Sequence, residues 1–360
     1  MSIFSRKGKT LTESADADIF NKETEGLSQG QIVRKRFVRH RGAMISLIVL
    51  FSLVIFVFST LGFKIFGIGY GGWWKYKITD LPNLRTEGCS AALPGCPTLN
   101  LFPGKNFGLG DHPFGQDDLG RDYFSLVMRG AERSIEVMVV IGLVAGVVGT
   151  VIGAIAGFYR GWIDATLMRI NDFIITIPTL IIGAVIGFHY GSKGVLFLAL
   201  FLGLFTWGGL SRLVRGEFLT LREREFVDAA RVAGARNRRI IFKHILPNAI
   251  GVIIVSVTLL MSSAILLEAA LSYLGFGVVA PDVSLGLLIS QYQDSFTTRP
   301  WLFWYPGLLI VIIALCVNFI GDGMRDAYDP RQRRRLSRKD RAADRIVPAL
   351  KSESANVQKS

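Results

Sequence analysis

Charge is scarce in this chain. Charged side chains make up 19% of its 360 residues against 50% hydrophobic ones, and they come in blocks. That distribution excludes an evenly solvated globule and favours apolar spans separated by polar loops. Histidine is also rare, and His40, His112, His189 and His244 show no metal-ligand spacing. No serine or cysteine lies in a nucleophile motif, so neither a metal centre nor a catalytic centre is expected. A phosphate-binding loop is missing. GKT at residues 8–10 ends like one, but Ile3 stands where the pattern needs a glycine, and no strand precedes it. No bound cofactor, ATP included, is therefore expected of this chain. The first 30 residues lack the apolar core of a secretory signal and read as a solvated, disordered tail.

What is present is a set of apolar runs at 43–63, 137–159, 173–190, 194–211, 249–267 and 301–321. Each is near the roughly 17–25 residues that a helix needs to cross hydrocarbon. A water-free core admits only helices or closed barrels, and continuous apolar runs of this length are too long for barrel strands. The expected fold is an all-α integral membrane protein with six transmembrane helices.

Lysine and arginine set the expected orientation. RKRFVRHR at 34–41 precedes the first span, Arg160 and Arg169 follow the second, and a dense basic block at 212–243 follows the fourth. The loops after spans three and five carry one basic residue each, Lys193 and Arg299. This alternation places both termini in the cytoplasm. The expected organisation is a cytoplasmic tail with a basic juxtamembrane segment (1–42), a first span (43–63), a long extracytoplasmic loop (64–136), a transmembrane core (137–323) holding a cytoplasmic loop at 212–248, and a basic cytoplasmic tail (324–360). The net charge of +13 clusters beside apolar segments. Membrane lipid, not nucleic acid, is thus the expected partner of that charge.

Three local features stand out. Gly142, Gly146, Gly149, Gly153 and Gly157 mark a close-packing face on span two. The acidic group at 111–122, with Asp111, Asp117, Asp118 and Asp122, lacks calcium-loop spacing and reads as a structured turn. Cys89 and Cys96 lie on the oxidising side in this topology, so a short-range disulfide is expected between them. Cys316, inside an apolar run, reads as a packing residue. Near lipid, Glu268 is the ionisable group of most interest, since a charge at membrane depth faces a cavity or a partner. It is a candidate substrate-pathway residue, with an interfacial carboxylate as the alternative. Asn171 and Asp172 read as helix-start residues of span three.

The basic block contains EFVDAARVAGARNRRIIFKHILPN at 225–248. A helix is expected over 221–233, with Phe226, Ala229, Ala230 and Ala233 on one face. Gly234 ends it in a left-handed turn. Asn237 then caps a second short helix, and Pro247 starts the next span. The result is a stiff helix–bend–helix bracket fixed to a span at each end. Topology requires the arginines, but it does not require the small residues at 229, 230 and 234.

DAARVAGARNRRIIFKHILP resembles the EAA motif of ABC-importer permeases, with Asp228 in place of the usual glutamate. HPFGQDDLGRDYFSLVMRGAERSI (112–135), LEAALSYLGFG (267–277) and PWLFWYPGLLIVIIALCVNFIGDGMRDAYDPR (300–331) are similar to segments of the peptide-importer branch. Over about 34–331 the chain is similar to the C-type permease subunits of dipeptide, oligopeptide or nickel importers. The resemblance implies a type I permease fold and coupling to ATPases through Asp228, Ala229, Ala230, Gly234, Leu246 and Pro247. It also implies partners: a homologous second permease, two ABC ATPase subunits that use ATP and magnesium, and an extracytoplasmic peptide-binding protein. Nickel or another small ligand is the alternative cargo. An independent secondary transporter or channel is the alternative class; it usually needs buried ion-coupling charges or interrupted helices near the midplane, whereas these span interiors are nearly charge-free and only Asn318, Pro178 and Pro306 interrupt them.

Overall fold

The computed structural model describes residues 29–65, 68–86, 89, 94–99, 108 and 110–328. The expected disordered tail at 1–28 and most of the basic tail at 324–360 lie outside the described residues. Arg34–Arg325 forms one compact unit; of the second, only the helical residues 29–33 and 326–328 are described.

The first unit is built from helices. α1 (Gln29–Arg39) carries the basic run, and α2 (Arg41–Leu61) follows His40, whose Nδ1 accepts from the Ala43 amide at 3.0 Å. α3 (Tyr123–Tyr159) is 37 residues long. α4 (Gly161–Thr176) and α5 (Thr179–Tyr190) come next, then α6 (Val195–Thr206) and α7 (Gly208–Arg222), then α8 (Glu225–Val232). α9 runs over Asn237–Tyr273, α10 over Leu285–Tyr292, and α11 over Trp301–Tyr328. α2, α3, α9 and α11 are each long and apolar enough to cross a membrane. The count reaches six if each bent pair, α4 with α5 and α6 with α7, is one span.

Two of the expected spans are therefore broken. Pro178 separates α4 from α5, which meet at 75°. A proline lacks the amide that would continue the ladder. At Trp207 and Gly208 the bend is 44°. α3 also starts earlier than the apolar run at 137, so the loop expected to reach residue 136 ends at Asp122. That carboxylate caps the helix by accepting from the Ser125 amide at 2.9 Å. The chain is mostly helical. Its described strands are one antiparallel ribbon, β1 (Gly62–Ile65) paired with β2 (Ile68–Gly71) in the register Gly62 to Gly71.

α3 is the axis of the unit. Its glycines let neighbours approach where a side chain would not fit. A Cβ on Gly153 would lie 2.5 Å from the Ser211 carbonyl oxygen and 2.8 Å from the Val214 Cβ, and one on Gly157 would lie 2.7 Å from the Phe218 Cβ. Gly149, Gly153 and Gly157 thus pack on α7, while Gly142 and Gly146 face Met261 and Val257 of α9, in the small-residue mode of helices in lipid. Toward the start of α3, Tyr123, Phe124, Val127 and Met138 are buried with Leu285, Leu302 and Ile313. Toward its far end, Ala154 and Phe158 join a separate core with Val214, Phe218 and Ile245. The two cores define two ends of the bundle, a ribbon end and a bracket end.

Candidate coupling site

The bracket is α8 with its two joints. Arg224 turns the chain out of α7, and the Val227 amide donates to its carbonyl at 2.9 Å. At the other joint the Gly234 amide donates to the Arg231 carbonyl at 2.9 Å, and the Ala235 amide to the Ala230 carbonyl at 3.0 Å. This crossed pair is a Schellman motif, which needs a left-handed residue between its bonds. Gly234 supplies it at φ +77°. A Cβ there would meet nothing within 4 Å, so conformation, not space within this chain, favours glycine.

After the bend the chain does not make a separate short helix. Arg236 occupies the cap position expected of Asn237, and α9 then continues unbroken to Tyr273. Its start contains a π segment, Ile240–Ile245, in which the Leu246 amide reaches back five residues to the Ile241 carbonyl. Pro247 explains the irregularity, because it has no amide to donate. The Asn248 side chain donates to the His244 carbonyl at 2.6 Å.

The buried face of α8 differs from the expected one. Val227 and Ala230 are buried, packed with Phe218, Ile240, Ile241 and Ile245. Phe226, Ala229 and Ala233 point outward, and Val232, 91% exposed, is the most exposed large apolar side chain among the described residues. Sequence reasoning missed Val232; its place three residues after Ala229, on the side of the helix away from Val227 and Ala230, was the available signal. Of the six expected coupling residues, Asp228, Ala229, Ala230 and Gly234 share the bracket, whereas Leu246 and Pro247 lie on α9. Asp228 is exposed and accepts from Arg231 at 3.0 Å.

Ion pairs brace the site. Arg215 holds Asp164 of α4 with two bonds of 2.5 and 2.6 Å. Arg160 pairs with Glu223 at 2.7 Å, and the Arg222 guanidinium donates to the Phe158 carbonyl. α8 is thus fixed to α7 and α9 by a core and backed by α3 and α4. Asn171 and Asp172 do not begin a helix; both lie within α4. Asn171 is buried and donates to the Gly208 carbonyl at 3.2 Å, and Asp172 pairs with Arg212.

Glu268 lies toward the ribbon end and is fully buried. It accepts from Ser134 at 2.8 Å and from Ser272 at 2.7 Å, tying α3 to α9. In this conformation it reaches no surface. Beside it is a charged array that sequence reasoning did not find. Arg129 pairs with Glu132 at 2.8 Å, Arg133 with Glu136 at 2.6 Å, and both arginines donate to one oxygen of Asp282 at 3.1 and 3.2 Å. The stripe 129, 132, 133, 136 follows one face of α3.

The four aspartates of the ribbon end each hold a protein group. Asp117 accepts from Arg121 at 2.6 Å and from Tyr292 at 2.9 Å. Burial, then the Asp117 charge, hold the Tyr292 phenol above its ordinary pKa, so it stays a donor. Asp122 accepts from the Trp74 indole at 2.8 Å and pairs with buried His112 at 2.8 Å. Asp111 pairs with Lys75, and Asp118 with Arg299. Cys89 and Cys96 are joined in a disulfide with a Cα separation of 5.7 Å.

Comparison with known proteins gives this arrangement a context. Residues 149–334 match the family model for the binding-protein-dependent transport system inner membrane component. Residues 28–64 match the N-terminal TM domain of oligopeptide transport permease C. The chain is 36% identical over 311 residues to the oligopeptide transport system permease protein OppC of Mycobacterium tuberculosis, covering 86% of this chain and 97% of that one. It is equally similar to OppC of Escherichia coli, at 36% identity over 86% of this chain and 94% of the relative. An inward-facing structure of the MetNI methionine ABC transporter aligns at 20% identity with a TM-score of 0.48, over 57% of this chain and 96% of that one. By its family match and its relatives, the chain belongs to the inner-membrane components of binding-protein-dependent transport systems.

Proposed function

We propose that this chain is the C-type permease subunit of an ABC importer that carries di- and oligopeptides across the bacterial cytoplasmic membrane. The observation that carries the coupling role is the bracket. It presents Phe226, Ala229 and Val232 outward on a helix whose other face is locked to two long helices. An exposed apolar face on a stiff support suits a partner that delivers mechanical work. The relatives named as oligopeptide permeases favour peptide as the cargo.

In this reading the basic bracket end and both chain termini lie in the cytoplasm, by the bias of lysine and arginine toward that side. The ribbon end lies outside, where an oxidising compartment maintains the Cys89 and Cys96 disulfide. A homologous second permease completes the pathway, two ATPase subunits bind below with one of them engaging this chain's bracket, and a binding protein delivers peptide at the ribbon end. ATP and magnesium are used by the ATPases; this chain is a non-catalytic transport subunit. Asp228, Ala229 and Gly234 face or shape the ATPase contact, Ala230 anchors it, and Leu246 with Pro247 joins it to α9. Glu268 is assigned a structural role, cross-linking α3 and α9.

The test is reconstitution of the assembled importer in vesicles with ATP inside, offered dipeptides, oligopeptides or nickel together with the binding protein. ATP-dependent peptide uptake is expected. Uptake by this chain alone without ATP, or uptake of nickel only, contradicts the proposal.

A further inference from the structure

The two ends of α9 are held by different kinds of contact. Toward the ribbon end, the fully buried Glu268 accepts from Ser134 of α3 at 2.8 Å and from Ser272 at 2.7 Å. Each serine oxygen accepts in turn from a backbone amide beyond α9, Ser134 from Leu285 at 3.4 Å and Ser272 from Val278 at 3.1 Å. One carboxylate therefore joins α3, α9 and the chain that leaves α9. Asp282 in that chain is gripped by Arg129 and Arg133 of α3 at 3.1 and 3.2 Å. Backbones also meet closely here. A Cβ on Gly187 of α5 would lie 1.6 Å from the Phe276 carbonyl oxygen, and one on Gly286 would lie 2.3 Å from the Ala269 carbonyl oxygen. Ser262 adds a bond to the Ala314 carbonyl of α11 at 3.0 Å.

Toward the bracket end these ties stop. Between Asn237 and Met261 the side-chain hydrogen bonds return to the backbone of α9 itself, from Asn248, Ser256 and Thr258. Among the described residues no side-chain hydrogen bond or ion pair joins this stretch to another helix. Its contacts are apolar. Ile245, Ala249 and Ile253 lie in the inner core, and Val257 and Met261 lie against Gly146 and Gly142 of α3. Packed apolar faces shift by small sliding motions without breaking a directional bond. The Glu268 node does not, because separating it leaves buried polar groups without partners in a low-dielectric interior.

We infer that Glu268, Ser134, Ser272 and Asp282 are positioning residues that form the fulcrum on which α9 turns when the bracket moves. The arm from Glu268 to Pro247 is roughly 30 Å at ~1.5 Å per residue, so a tilt of about 10° carries its foot by about 5 Å. The outer ends of α3, α5 and α9 stay together while the inner half of α9 slides along α3. This inference rests on the proposed coupling of the bracket to the ATPases.

The test uses the assembled importer in lipid nanodiscs, with Cys316 replaced and spin labels at exposed positions of α3 and α9. One pair, Val151 with Val252, reports the inner half; the other, Leu143 with Leu266, lies nearer the fulcrum. Between the nucleotide-free and ATP-bound states the inner distance is expected to change by about 4 Å and the outer one by less than about 1 Å. An inner pair that stays fixed, or an outer pair that moves as far as the inner one, overturns the fulcrum. Glu268→Met supplies a second measurement. It keeps the side-chain volume, and the released serine hydroxyls turn to carbonyls of their own helices, so melting close to the parent is expected. Peptide delivered per ATP hydrolysed is expected to fall roughly 5–30-fold, the effect of losing one or two buried hydrogen bonds, while hydrolysis continues. An unchanged ratio overturns the inference. The spin-label measurement on the parent does not depend on how this variant folds. ATP-driven uptake by the parent together with either overturning result removes the fulcrum and leaves the proposed importer standing.

Discussion

Substituting Gly234 isolates the backbone requirement of the bracket. The residue sits at φ +77°, and a Cβ there meets no atom within 4 Å, so alanine introduces no clash within this chain. What remains is the cost of a left-handed L-residue, roughly 1–2 kcal/mol, and less for asparagine, whose side chain bonds locally. An energy of that size shifts a two-state balance by about 5–30-fold. It leaves the membrane-embedded helices intact, because the bend lies outside them. Gly234→Ala is therefore expected to insert and assemble normally while ATP-driven peptide uptake in proteoliposomes falls by roughly that factor. Gly234→Val is expected to be worse, since a β-branched residue resists this region more strongly. Gly234→Asn is expected to lie closest to the parent. Parent-like uptake by the alanine and valine variants refutes the reasoning. Equal loss in all three also refutes it, because contact with a partner, not conformation, then sets the need for glycine.

Other positions give separate tests. Gly153→Leu forces α3 from α7, with overpacking of at least about 1–3 kcal/mol, and is expected to lower the melting temperature in detergent. Gly209→Ala, where a Cβ meets nothing within 4 Å, is the control expected to melt like the parent. Glu268→Ala leaves two buried serine hydroxyls without their acceptor, a loss of about 1–3 kcal/mol each at most, whereas Glu268→Gln retains an acceptor and is expected to melt close to the parent. A glutamine variant with parental melting and no uptake contradicts the structural role. Asp282→Asn and Arg133→Gln are expected to be non-additive, with a coupling of about 0.5–3 kcal/mol in thermal or chemical unfolding. Strict additivity contradicts the shared contact.

The long helices were legible in the sequence because apolar runs long enough to span hydrocarbon have few other folds open to them. The left-handed turn at Gly234 was legible for the same reason at smaller scale, since few residues other than glycine adopt it cheaply. The packing face of α3 was readable from its glycines, though not which helix fills it. The breaks were harder. Pro178 is a visible breaker, and the Gly208–Gly209 pair was an available signal for the bend at Trp207, masked by the apolar run around it. On α8 the choice between Phe226 and Val227 as the buried residue is made by contact with Phe218 and Ile245, which are remote in neither chain nor space but invisible to periodicity over eight residues. Glu268 reads as an isolated charge until the fold brings Ser134 to it from another helix. Asp282 is likewise 149 positions from Arg133, so nothing local announced the pair.

The lever itself is best tested by cysteine crosslinking from its outward face. Single cysteines at Ala229 and Val232, introduced with Cys316 replaced, are to be paired with cysteines across the surface of the ATPase subunits through the nucleotide cycle. Efficient crosslinks to a cleft on one ATPase, changing in yield between the nucleotide-free and ATP-bound states, are expected. Absence of any crosslink to the ATPases from either position at every stage of turnover contradicts the coupling role of the bracket.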